Sequence, residues 1–216
     1  MMRLSDKIYQ ACYPIWEQCN HHPFIEGMID GSLPLYKYRF YTMQCDWYLL
    51  EFARTLSLGM LKAPDAEVEY FFLEQMNATL ADHKELYKQL SITEEDIRSQ
   101  IIHPDNAAYA SYSRELALSG GLAEVIASVM ACYWSYKILG EYMHLEMTED
   151  TPEIYRGLCE KFYDPYYAES VDRMIELIDD LTSDCTEEEL DRYTDMVRRC
   201  SQYELAFWQM CWDYRP

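Results

Sequence analysis

A helical period runs through almost the whole chain, and this limits the possible folds more than any other feature. From the N-terminus the apolar positions fall at Leu4, Ile8, Ala11, Cys12, Ile15, Trp16 and Cys19. Steps of three and four place them on one face of a helix. Among the 216 residues there are only 7 Gly and 8 Pro, too few for a sandwich or barrel with many turns. The 20 Tyr, 5 Trp and 7 Phe exclude intrinsic disorder despite a formal net charge of −20. The length suits a single domain over residues 1–216, and a chain of this size hides roughly 70% of its unfolded surface.

Breaks in the period divide the chain. Pro14 is expected to kink or split the first helix. His22-Pro23 ends it, and a short helix follows from Phe24 to Asp30-Gly31. Ser32 is a candidate cap and Pro34 a first-turn residue for a helix from Leu35 to Leu58, with Gly59 as its stop. Pro64 opens a helix to about Leu90, and Ser91-Ile92-Thr93-Glu94 reads as a capping box. Another helix runs from Pro104-Asp105 to Gly120-Gly121. The stretch Leu122, Val125, Ile126, Val129, Met130, Cys132, Tyr133, Tyr136, Leu139 is apolar nearly all round, which predicts a central buried helix. Helices are expected from Thr151-Pro152, over Tyr166–Leu181 and over Glu187–Trp212. The architecture expected is all-α, a mixed and partly orthogonal bundle.

The charge balance, 38 acidic against 18 basic residues, opposes binding to phosphate backbones. Arg198-Arg199 is the densest basic pair, so no nucleic-acid partner is expected. No run of apolar residues is long enough to span a membrane, and the charged Met1–Tyr13 segment does not read as a signal peptide. The eight Cys form no CxxC pair and are scattered through helical patterns, which predicts reduced thiols in a cytoplasmic protein.

Few segments carry the spacing that chemistry requires. No glycine-rich phosphate loop occurs. Glu141-x-x-His144 is half of a di-iron carboxylate motif, but a second copy is missing, and His21 and His22 have no partner at zinc spacing. No metal or cofactor is expected. Cys132 lies in Ala131-Cys132-Tyr133-Trp134-Ser135-Tyr136, where a Cys is ordinarily a small core residue. Glu204 lies among Tyr203, Phe207 and Trp208. Burial there raises its pKa towards acid–base use, unless it serves only as a hydroxyl-satisfied or ion-paired structural contact. Tyr41, Tyr48, Tyr109, Tyr112 and Tyr136 supply hydroxyls and flat faces, or simply core packing.

Three separated segments together resemble the TenA/thiaminase II family. They are Trp16…His22-Pro23-Phe24…Gly31-Ser32-Leu33 with Tyr41-Thr42-Met43-Gln44-Cys45-Asp46-Trp47-Tyr48-Leu49, then the segment around Cys132, then Tyr203-Glu204-Leu205-Ala206-Phe207-Trp208. They span nearly the whole chain, and their order is more specific than any one of them. The resemblance implies a haem-oxygenase-like helical bundle, usually tetrameric. It implies hydrolysis of aminopyrimidines, and of thiamin itself, in thiamin salvage. By motif position it makes Cys132 the nucleophile and Glu204 the acid–base group. Tyr48, Tyr109, Tyr136 and Tyr166 would line the substrate pocket.

A thiol suits a double displacement because it attacks well and leaves well. Its free pKa near ~8.5 requires a partner to activate it at neutral pH. A carboxyl can read an aminopyrimidine's ring nitrogen and amino group together.

One departure stands out. Where the family reads Gln-Asp, this chain has Gln44-Cys45, so a pocket Asp is replaced. Asp46 is about 100° further round the helix. An altered substrate preference or a lower rate is the expectation, and Cys45 and Cys132 could pair as a disulfide. The alternatives are a non-catalytic binder of a pyrimidine-like ligand, a haem-oxygenase-like di-iron oxidase using Glu141 and His144, and, weakest, a DNA-binding regulator.

Overall fold

The computed structural model describes residues 2–80 and 84–216. Its described residues form eleven helices: α1 Leu4–Asn20, α2 Pro23–Ile29, α3 Leu35–Lys62, α4 Ala66–Thr79, α5 Lys84–Gln89, α6 Glu94–Ser99, α7 Pro104–Ser119, α8 Leu122–Glu146, α9 Glu153–Phe162, α10 Pro165–Leu181 and α11 Glu187–Asp213. No strand occurs among them. The all-α expectation holds.

Several local expectations change. Pro14 does not split α1, which runs on without a break. One missing N–H is tolerated because the face carrying Ile8, Cys12 and Trp16 is fully buried. Ser32 does not cap α3. Pro34 holds that position, and the Ser32 N–H donates to Asp30 Oδ1 at 2.8 Å instead. Gly59 does not stop α3, which continues to Lys62. A Cβ at Gly59 would meet Phe72 Cε1 at 2.3 Å, so the glycine allows α4 to pack closely. The helix expected from Pro64 to Leu90 is not continuous. Asp65 caps α4, α5 is separate, and residues 81–83 lie outside the described residues. The capping box sits two residues later than expected: Thr93 caps α6 and Asp96 answers as the third helical residue.

Helix α8 packs against α1, α3, α7, α9, α10 and α11. It is long and apolar enough to cross a membrane by composition, but 72% of its most apolar window is buried among other helices, as in a core helix. Paired positions on α3 and α7 rise together: Gln44 with Asn106, Tyr48 with Tyr109, Glu51 with Arg114, Lys62 with Ala117. The two helices therefore run parallel, and α4 to α6 form the crossover that a parallel pair requires.

Two apolar clusters build the core. One includes Trp16, Leu56, Phe72, Val125, Met130 and Met174. The other includes Phe24, Tyr41, Tyr136, Met143 and Trp208. Cys132 packs against both.

Candidate active site

The seam between the clusters gathers side chains from distant parts of the chain. Helix α3 supplies Cys45 and Tyr48, α7 supplies Tyr109, α8 supplies Cys132 and Tyr136, and α11 supplies Glu204. Cys132 and Tyr136 are four residues apart and so share a helix face.

Glu204 is 2% exposed, and its Oε1 accepts a hydrogen bond from Tyr109 Oη at 2.7 Å. Burial pushes its pKa up to about 7, while the bonds from Tyr109 and Cys132 oppose that rise. Burial also pushes the Cys132 thiol well above its ordinary value, and the neighbouring Glu204 and Cys45 add to this. Cys132 is therefore no standing thiolate at neutral pH, and its proton has a carboxylate beside it as acceptor.

Cys45 is pushed up to about 12, first by burial and then by Asp46, while Lys161 and Tyr41 pull the other way. Cys45 and Cys132 are both free thiols, and both keep some accessible surface. Their neighbours Tyr48, Tyr109, Tyr136 and Glu204 keep almost none.

Aromatic side chains form a shell with flat walls. Tyr48 stacks on Tyr109 with centroids 4.9 Å apart, and Tyr109 on Tyr203 at 5.6 Å. Tyr136 lies 4.5 Å from Phe162 and 5.8 Å from Trp208. Tyr41 stacks on Trp208 at 5.3 Å. Tyr112 sits further out, half-buried, 5.8 Å from Tyr203. The Tyr48 hydroxyl is buried and makes no well-formed hydrogen bond. A ligand that bonds it would remove a desolvation cost of about 1–3 kcal/mol.

Tyr166 is not brought into the shell. It is 51% exposed in the first turn of α10, where its N–H donates to Asp164 Oδ1 at 2.9 Å. The next residue, Tyr167, turns inward about 100° round the helix. Its hydroxyl donates to Tyr133 O at 3.2 Å, and its ring meets Phe162 edge-on at 5.0 Å. Cys132 lies close enough to help push the Tyr167 phenol further up. Two adjacent tyrosines after Asp164-Pro165 did not reveal which one the helix would bury. Glu141 and His144 are exposed, and His144 stacks on Tyr163 at 3.7 Å, so neither enters the core that a di-iron site needs.

Known proteins share the family and the fold of this chain. The chain matches the model of the TENA/THI-4/PQQC family over residues 9–214. It is 28% identical to an aminopyrimidine aminohydrolase of Helicobacter pylori, covering 98% of this chain and 99% of that one. It is 29% identical to an aminopyrimidine aminohydrolase of Bacillus subtilis, covering 98% and 90%. A TenA homologue from P. horikoshii superposes with a TM-score of 0.87 at 27% identity, covering 98% of this chain and 99% of that one. Haem oxygenase-1 of Synechocystis, at a TM-score of 0.60 and 10% identity over 96% and 91% of the two chains, shares the fold alone.

Proposed function

The chain belongs to the TENA/THI-4/PQQC family, and on that premise we propose that it is a thiaminase II-type hydrolase acting on aminopyrimidines. The observation that carries the reading is the meeting of Cys132 with a buried, Tyr109-held Glu204 whose pKa is raised to about 7.

In this reading the pyrimidine lies flat against the tyrosine walls. Glu204 as carboxylate takes the Cys132 proton while the sulfur forms a bond to a ring carbon, and the electron pair of the broken ring C=N bond rests on the ring nitrogen. Glu204, now protonated, gives its proton to the amine on the exocyclic methylene, and the C–N bond breaks. Water adds to that methylene and loses a proton to Glu204. The S–C bond then breaks as the ring double bond re-forms, and Glu204 gives its proton to the sulfur, which restores both the thiol and the carboxylate. The balance is one water consumed and one amine released, with hydroxymethylpyrimidine as the other product. Tyr48 and Tyr136 orient the ring, with Tyr167 in the place expected for Tyr166. No resident metal or cofactor takes part.

Cys45 in place of an Asp removes a fixed negative charge from the pocket, so the substrate preference is shifted or the rate lowered. A homotetramer in a reducing cytoplasm completes the proposal. Exposed Ile101, Leu61 and Leu145 provide apolar surface for association, and all eight cysteines are free.

Turnover of 4-amino-5-aminomethyl-2-methylpyrimidine, read by released ammonia, tests the reading. Cys132→Ser should lose about a thousandfold or more. A wild type as inactive as the variant, on this substrate and on thiamin, removes it. Cys45 favours one second reading, a binder without turnover, which calorimetry would show as saturable binding unaccompanied by ammonia.

A further inference from the structure

Gln44 stands beside Cys45 on α3, yet its side chain does not face the thiols. It is 1% exposed and bonded at both ends. Its Nε2 donates to Ile101 O at 2.9 Å, and its Oε1 accepts from the His103 N–H at 3.0 Å. One carboxamide thus satisfies donor and acceptor groups of the extended segment that leads into α7. Asn106, fully buried, adds a second tie: its Nδ2 donates to Gln44 O at 2.9 Å and to Gln44 Oε1 at 3.1 Å.

These contacts sit one helical turn from the site on both helices. Gln44 precedes Tyr48 by four residues, and Asn106 precedes Tyr109 by three, so each pair shares a face. The polar tie therefore lies directly beyond the Tyr48–Tyr109 stack. On the other side of the stack, Arg114 Nη1 meets Glu51 Oε2 at 2.6 Å. The stack is held at both ends, but only the Gln44 end fixes where α7 begins. The axial position of α7 sets how far the Tyr109 hydroxyl reaches towards Glu204.

We infer that Gln44, with Asn106, is a positioning residue: by clamping the start of α7 it places the Tyr109 hydroxyl on Glu204. The inference rests on Glu204 being the acid–base group of the proposed reaction, but it can be tested without any substrate.

The experiment follows the Glu204 carboxyl by 13C NMR in a pH titration of protein labelled at Glu, beside the thermal midpoint. Tyr109→Phe sets the scale, because it deletes a bond that holds the Glu204 pKa down. Gln44→Met keeps the length of the side chain and removes both polar ends. It should move the Glu204 midpoint upward by about one unit, in the direction of Tyr109→Phe. Asn106→Ala should move it the same way and keeps the test open if Gln44→Met does not fold. Arg114→Gln, at the other end of the seam, should lower the thermal midpoint and leave the Glu204 titration unchanged. A Gln44→Met or Asn106→Ala protein that loses stability without moving Glu204 overturns the inference. So does an Arg114→Gln shift as large as theirs. Because the readout is the carboxyl itself, failure of aminopyrimidine turnover and failure of this inference are separate results.

Discussion

Burying the Glu204 carboxyl at 2% exposure puts function and stability in opposition at one residue. Its folded-state pKa, about 7, lies above the ordinary 4.5. Between those values the folded protein holds a proton that the unfolded chain has released. Stability from this group is full below about 4.5, declines as pH rises, and levels off above about 7. The loss amounts to about 3 kcal/mol at most. Glu204→Gln should therefore melt higher than wild type at pH 8 and close to it at pH 4.5, while losing catalysis. Calorimetry at the two pH values checks this, and an equal or lower midpoint at pH 8 counts against a costly buried carboxylate. The same ionisation should set the acid limb of kcat/KM, with activity rising through pH 7 as Glu204 becomes able to accept the thiol proton. Cys45→Asp restores a carboxylate to the pocket and should raise aminopyrimidine turnover several-fold. No change, or a fall, detaches Cys45 from substrate recognition. Cys132, Glu204 and Tyr48 stand out in the sequence because each lies in one of the three separated segments, whereas Tyr109 lies outside them and its hydrogen bond to Glu204 is visible only in the fold. Tyr167 does not stand out, because two adjacent tyrosines differ only in which way the first turn of α10 points.

At the scale of elements, ends marked by proline or by an acidic capped start follow from the sequence, as for α7, α10 and α11, whereas the break between α4 and α5 and the end of α3 do not. The apolar stripes of α1 and α8 follow from spacing alone. Gly59 shows the limit. In sequence it reads as a terminator, since glycine weakens helices by about 1 kcal/mol. In the fold it sits inside α3, where Phe72 of α4 occupies the space a Cβ would take. The long-range contact decides its role, and no local pattern reveals it. Gly140 is similar, with Phe162 C 2.5 Å from where its Cβ would lie, so α8 and the end of α9 touch backbone to backbone. Gly59→Ala should destabilise the protein by about 1–3 kcal/mol despite alanine's better helix propensity. Adding Phe72→Leu should recover part of the loss. Chemical denaturation of the single and double variants measures the coupling, and a Gly59→Ala protein as stable as wild type would show that α4 shifts freely.

The formal charge of −20 governs how whole molecules meet one another. Much of it gathers at helix starts, as with Glu187, Glu188 and Glu189 on α11, where the helix dipole favours it. Many basic residues are already paired within the chain, as Lys137 is with Asp172 and Arg173 with Glu67. Few are left to offset the acid of a neighbouring copy. A homotetramer must bring four such charges together, and exposed apolar side chains such as Ile101, Leu61 and Leu145 are among those it could bury in return. The apolar gain, about 25 cal/mol per Å², changes little in moderate salt. The repulsion falls steeply, because the screening length drops from about 30 Å at 0.01 M to about 8 Å at 0.15 M. Association should therefore strengthen with sodium chloride. Light scattering at fixed protein concentration should give a mass that rises with salt to a plateau at four chains. A single-chain mass at every salt and protein concentration would refute the tetramer. A mass that falls as salt rises would mean that ion pairs between copies, rather than apolar contact, hold them together.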